Sequence, residues 1–440
     1  AGDITLVSID GHSSEAVTID AGTGTTSVGA IGAGSEIGAV TIGSSDNGTI
    51  TLNGAITTTG AVSLDGPVSL ATGAITVDSS AGNGAIDFLH TIDGAQNLTL
   101  SSGSGAVDVN GIIGSTTAIG TLTVNASGTG TIAIEQIGDG NPASGSLGAT
   151  IGNTGTTSVT FDGTEYTMNG ATTVTAQSGD SIIFSGGGAT TFTTSNDAIT
   201  FGTGTVQLSD AADLTITSAN GAVSVASVGG TTSEDITINA GTGTLAVGAI
   251  GNADEINTVT LTGSTITLSG DITTSNAANN NVDINGAVVI SGAVDIDTDT
   301  AGTDGTIDFS STIVGDGNNA TTDNLTIDSG GSSLTFNGTI GVAAPIAGFN
   351  VNQDGGNVAL TIPQVGNASG SAGTSGVTLI GNANTSAVTL SADSYEFGGA
   401  TTIVSAGNIT ASDTNPDIDI SGNATLTGNL VLSDGNFNLN

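Results

Sequence analysis

The sequence predicts an all-β chain, a parallel β-solenoid with coils of roughly 22–24 residues in two tandem units of about 220 residues. Three observations carry that prediction. Short runs alternate an apolar residue with Thr, Ser or Asp. Gly, Asn and Asp punctuate these runs every six to twelve residues. The sequence is also written out twice: EAVTIDAGTGTTSVGAIG, from Glu15, returns as EDITINAGTGTLAVGAIG from Glu234, 219 positions later.

The alternating runs come first. Ala39–Ile42, Thr49–Leu52, Ala61–Leu64, Ala74–Val77 and Asp213–Ile216 each place Val, Ile or Leu at every second position. That period of two is the signature of a half-buried strand. The intervening Gly, Asn and Asp supply turn chemistry. No segment has a helical period. Equivalent strands recur after one coil, Val17 to Val40, Leu98 to Leu122, Leu214 to Ile236 and Ile236 to Val259. Two or three short strands with their turns fit in that length, and repetition of such a unit builds a solenoid. Coils of this size would stack about 4.8 Å apart, giving on the order of 19 coils and a rod of about 90 Å.

The long repeat covers most of the chain. Ile4 matches Val223, Glu36 matches Glu255, and Phe88 in AIDF matches Phe309 in TIDF. Tyr166 matches Tyr395 at an offset that has drifted to 229. The expected division is residues 1–219 and 220–440, as duplicates in one continuous shaft. Asn440 falls in mid-pattern, so the expectation is either a longer tandem array or a homopolymer of chains stacked head to tail.

Composition narrows the function. The 440 residues contain 40 Asp and Glu against no Lys or Arg, a formal charge of −40. Nucleic-acid binding draws on Lys and Arg to neutralise phosphates, and anionic membranes repel such a chain. Neither is expected as a partner. Aromatics are 3% and apolar residues 36%, enough for a thin core of Val, Ile and Leu but not a thick one. High charge and few aromatics also suit disorder, but disorder does not require strict alternation. Cys is absent, so disulfides and thiolate metal sites are excluded. Trypsin has no site to cut.

LTLSSGSGAVDVNGIIGSTTAIGTLTV (98–124) and LTIDSGGSSLTFNGTIGVAAPIAGFNV (325–351) resemble the repeats of bacterial filamentous-haemagglutinin-like proteins, large repetitive β-strand-repeat surface proteins. The resemblance runs intermittently along the chain. It implies a parallel β-helix, a cell-surface or extracellular location, and a role in adhesion or matrix formation.

Few residues suggest chemistry. Asp295, Asp297 and Asp299 form the densest acidic cluster. On a strand they share one face at intervals of about 7 Å, and Ca²⁺ is the ion that such hard oxygens suit. The alternative is a solvated acidic face, and no cofactor is required in either case. Asp417 and Asp419 make a weaker pair. The loops Gly138-Asp139-Gly140 and Gly315-Asp316-Gly317 are a second place for Ca²⁺, or plain turns. His12 and His90 stand too far apart in sequence to suggest a metal pair. Paired carboxylates can cleave glycosides, but without Lys or Arg no enzyme is expected. The sequence therefore reads as an extracellular structural protein, a filament, sheath or surface shaft whose main partner is itself, with divalent cations bridging shafts. The alternative is an adhesin that binds a host, cell or polysaccharide surface.

Overall fold

The computed structural model describes the chain except residues 1, 13, 44–47, 142–143, 210–211, 232–233, 252–255, 276–279, 299–303, 319–321, 353–357, 368–372, 412–416, 421, 433–435 and 440, and except the side chains of 352, 417, 432 and 436–439. The described residues contain β-strands and no helix. The strands pair in parallel, each with its counterpart one coil further on, and the chain is a parallel β-solenoid of tandem repeats. It divides into two compact units, Ala1–Ala226 and Ser227–Asn440.

In unit 1 three ladders run from coil to coil. One stacks Val17, Val40, Val62, Ile86, Val107 and Ile132. A second stacks Ile50, Val68, Ile92, Ile113 and Ile137, and continues into Tyr166, Phe192 and Ile216. The third stacks Ile56, Val77, Leu100, Val124, Ile151, Val174 and Phe201. Each coil is thus three short strands joined by turns. Unit 2 repeats the arrangement, with Ile236, Val259, Val282 and Ile307 in one ladder and Ile250, Ile272, Ile296, Ile327 and Val351 in another.

Alternation decides which side chains go inside. In Val62–Asp65, Val62 and Leu64 are buried, while Ser63 and Asp65 lie toward solvent. Burying one such side chain is worth roughly 1.5–3 kcal/mol, and the ladders repeat that gain at every rung. The expected steps of 22–24 residues hold at Val17 to Val40 and Leu98 to Leu122. Others depart from them: Ile50 to Val68 takes 18 positions and Ile296 to Ile327 takes 31. Long coils reduce their number, so there are about 17 turns and not the 19 or so expected from a fixed period. The strand register is kept across the longest of these coils, from Ala293 opposite Asn324 to Asp297 opposite Asp328.

One corner of unit 1 shows why its sequence reads Gly-Ala-Val. Gly38-Ala39-Val40, Gly60-Ala61-Val62, Gly84-Ala85-Ile86 and Gly105-Ala106-Val107 stack on one another. The carbonyls of Ala39, Ala61, Ala85 and Ala106 accept from Val17, Val40, Val62 and Ile86 at 2.8–2.9 Å. The glycines stack so closely that a Cβ on Gly84 would be driven into the carbonyl of Gly60, and one on Gly105 into that of Gly84.

The core of unit 1 is aromatic near its C-terminal end. Phe161 stacks on Phe184 at a centroid separation of 4.9 Å, and Phe192 lies 5.0 Å from Phe201. Tyr166 meets Phe161 edge-on at 4.7 Å. Its hydroxyl accepts from the Gly163 N–H at 2.8 Å and lies 3.0 Å from the Glu135 carbonyl of the preceding coil. Burial pushes this phenol far above its ordinary pKa, so it stays a neutral donor. Tyr395, its match in unit 2, repeats the clasp: it accepts from Ala392 N–H at 2.8 Å and donates to the Ile362 carbonyl at 2.9 Å.

Gly84→Ala is expected to lower stability by about 1–3 kcal/mol through overpacking at the corner. Phe184→Ala should cost about 3–5 kcal/mol by opening a cavity. Urea denaturation of the full chain checks both; unchanged midpoints would contradict the stacking described.

Candidate functional site

Because Val and Ile occupy the inward positions, an Asp next to one of them faces outward and lies over a residue one coil away. Asp87 aligns with Asp108, Asp283 with Asp308, and Asp297 with Asp328. Asp87 and Asp308 are the matching residues of AIDF and TIDF, and each takes an amide from the following coil. Asn110 Nδ2 donates to Asp87 at 3.3 Å, and Asn337 Nδ2 donates to Asp308 at 2.9 Å. Partial burial, and then the neighbouring Asp108, raise the Asp87 carboxyl above the usual carboxylate range. Partial burial and Asp308 do the same to Asp283.

The Asp295 cluster is the densest of these sites. Asp295 and Asp297 lie on the strand Ala293–Asp297, both toward solvent, as alternation requires. Asp299 lies outside the described residues. Asp271, one coil back, accepts the Asp295 backbone N–H at 2.9 Å. On the other side Asp295 pairs with Thr326 and Asp297 with Asp328. The Asp295 carboxyl is pushed up to about 6, first by partial burial and then by Asp297, Asp271 and Asp328. The fold therefore adds two carboxylates that the local motif did not contain. Asp271 sits 24 positions before Asp295, so the coil period itself could have found it. Asp328 belongs to the 31-position coil and escapes any fixed period. Among the described residues, no three acidic or imidazole groups converge as a metal-ion site.

The two Gly-Asp-Gly loops are turns whose carboxylates are held by their own surroundings. Hydrogen bonds from Ser144 and from the Asn141 N–H hold Asp139 below the usual range. Asp316 is held low by the Asn318 N–H at 2.7 Å, and its own N–H donates to the buried Asp323 at 3.0 Å. The histidines are apart: His90 Nε2 lies 3.2 Å from Asp65, and the His12 backbone N–H donates to Glu15 at 2.9 Å. Asp419 lies on the strand Asp417–Ile420, aligned with Glu396.

No family model, curated protein or solved structure matches the chain. Among the described residues, no helix is long and apolar enough to cross a membrane.

The raised Asp295 carboxyl has a signed consequence. Its folded pKa of about 6 exceeds the ordinary 3.8, so the folded state holds a proton that the unfolded state has released. This contribution is fully present below pH 3.8 and is lost as the pH rises through about 6. Asp295→Asn should therefore be more stable than the wild type at pH 8, and the difference should shrink toward pH 4. Thermal melts of both proteins across that range provide the check; a constant difference would contradict a raised Asp295 carboxyl.

Proposed function

We propose that the chain is a non-catalytic structural protein of the cell surface or extracellular space, which builds a filament, sheath or shaft by continuing its coil stack. The observation that carries this reading is the ladder register. Within each unit, backbone hydrogen bonds run from coil to coil while Val and Ile stack inside. Such a ladder resists extension along its axis and offers proteases little loose chain. The absence of Lys and Arg supports the same reading, since it removes trypsin sites as well as the usual means of holding phosphates.

The charge of −40 supports a second element of the proposal. Carboxylates on the outside keep neighbouring shafts apart, and divalent cations draw them together by bridging them. Nucleic acid and anionic membranes are not partners in this reading; the main partner is another copy of the same repeat.

Electron microscopy of the purified protein, in Ca²⁺ and then in EDTA, tests both elements. Filaments with an axial repeat of about 40 or about 80 Å are expected from coils spaced about 4.8 Å apart. Bundles in Ca²⁺ should separate in EDTA. Single short rods in both conditions would overturn the filament proposal, and bundles that persist in EDTA would overturn the cation bridge.

A further inference from the structure

One outward face of unit 1 differs from the acidic rungs. Glu165–Met168, Thr190–Thr194 and Leu214–Ser218 pair in succession, which aligns Glu165 with Thr191 and Thr215, and Thr167 with Thr193 and Thr217. The intervening positions, Tyr166, Phe192 and Ile216, are buried. The outward side chains therefore form two rows, one Glu-Thr-Thr and one Thr-Thr-Thr. Rungs are about 4.8 Å apart between coils and about 7 Å along a strand. A groove of about 280 Å³ opens on this face, lined by Glu165, Thr167, Asn169, Thr191, Thr193 and Ser195, together with Gly140 and Met168.

Its polar groups are available. Among the described residues, the hydroxyls of Thr167, Thr191, Thr193 and Ser195 and the carboxylate of Glu165 enter no side-chain hydrogen bond within the chain. The Asn169 amide nitrogen donates to the Ser144 carbonyl at 3.2 Å, which leaves the amide oxygen to accept. The floor is stiff, because Tyr166 and Phe192 belong to the aromatic core and Tyr166 is tied to two coils. A ligand would find these hydroxyls already in place, and pre-organisation lowers the entropic cost of binding.

We propose that this groove binds a neutral glycan, an uncharged polyhydroxylated chain laid across the threonine rows. Threonine hydroxyls both donate and accept, the amide oxygen and the carboxylate accept, and sugar hydroxyls satisfy all of them. Glu165 is the anchor, because hydrogen bonds to an ionised acceptor are the stronger kind. The threonine methyls offer apolar contact to sugar C–H groups. Anionic glycans are excluded by charge, since the groove holds a carboxylate and the chain has no Lys or Arg to offset it. No aromatic ring lines the groove, so affinity rests on hydrogen bonds and on contact with the threonine methyls. This site lies within unit 1 and does not depend on the filament proposal.

Saturation-transfer NMR on the full chain tests it, with cellohexaose and maltohexaose as neutral probes and dextran sulfate as the anionic one. At least one neutral oligosaccharide should show saturable binding, and dextran sulfate none. Glu165→Gln should weaken that binding about tenfold, the loss of one charge-assisted bond. Thr193→Val, which removes a hydroxyl but keeps shape and strand preference, should weaken it severalfold. Thr76→Val, on a different face, should leave it unchanged. Thermal melts establish that all three variants fold. Binding of neither neutral probe, binding by Glu165→Gln and Thr193→Val as tight as by the wild type, or comparable binding of dextran sulfate would overturn the proposal.

Discussion

The hydrogen bond from one coil to the next is the interaction on which everything else in this molecule depends. In a parallel, in-register ladder each residue lies over its counterpart about 4.8 Å away. Apolar stacking follows from that geometry, since Val40 lies over Val17 and Val62 over Val40. So does the Gly-Ala-Val corner, where only glycine allows the carbonyl of the coil below to come so near. So does the least favourable feature, the stacking of like charges. An antiparallel pair can place an acid opposite a base, but a repeated parallel coil without bases places Asp308 over Asp283. The raised carboxyls of Asp87, Asp283 and Asp295 come first from partial burial against the packed coils, and neighbouring like charges add to it.

How much of this was legible in the sequence depended on which residues the ladder constrains. The alternation in AVTI and AVSL identified inward and outward positions, and Val17 to Val40 and Ile236 to Val259 are true inter-coil partners. The number of coils was less legible, because the ladder fixes strands and leaves turns free. Ile50 and Val68 are joined by a minimal connection, whereas Ile296 and Ile327 are separated by a long one, and both preserve the stack. The candidate sites followed the same division. Asp295 and Asp297 were visible because they are two residues apart on one strand. Their neighbours Asp271 and Asp328, and the pairing of Glu165 with Thr191, exist only once coil lengths are known.

A chain this acidic must still satisfy its carboxylates, and without Lys or Arg it does so with its own backbone. Many turn aspartates accept an N–H from the turn one coil further on. Asp3 accepts from Thr25 at 2.9 Å, Asp10 from Gly34 at 2.7 Å, Asp93 from Thr116 at 2.8 Å and Asp235 from Thr258 at 3.0 Å. At Asp3 this bond lowers the carboxyl below its ordinary range. Backbone donors thus replace basic side chains, and each such bond laces two coils together at a corner where the strand ladder has ended.

The carboxylates therefore divide into two groups by position in the coil, and the groups respond to protons in opposite ways. Turn carboxylates such as Asp3 and Asp139 bind backbone or hydroxyl donors, and their contribution is lost as the pH falls below the ordinary range. Strand carboxylates such as Asp87, Asp283 and Asp295 are partly buried and lie beside other carboxylates of their own or neighbouring coils, and protonation relieves them at a higher pH. Mild acid consequently removes repulsion from the strands before it weakens the lacing at the turns.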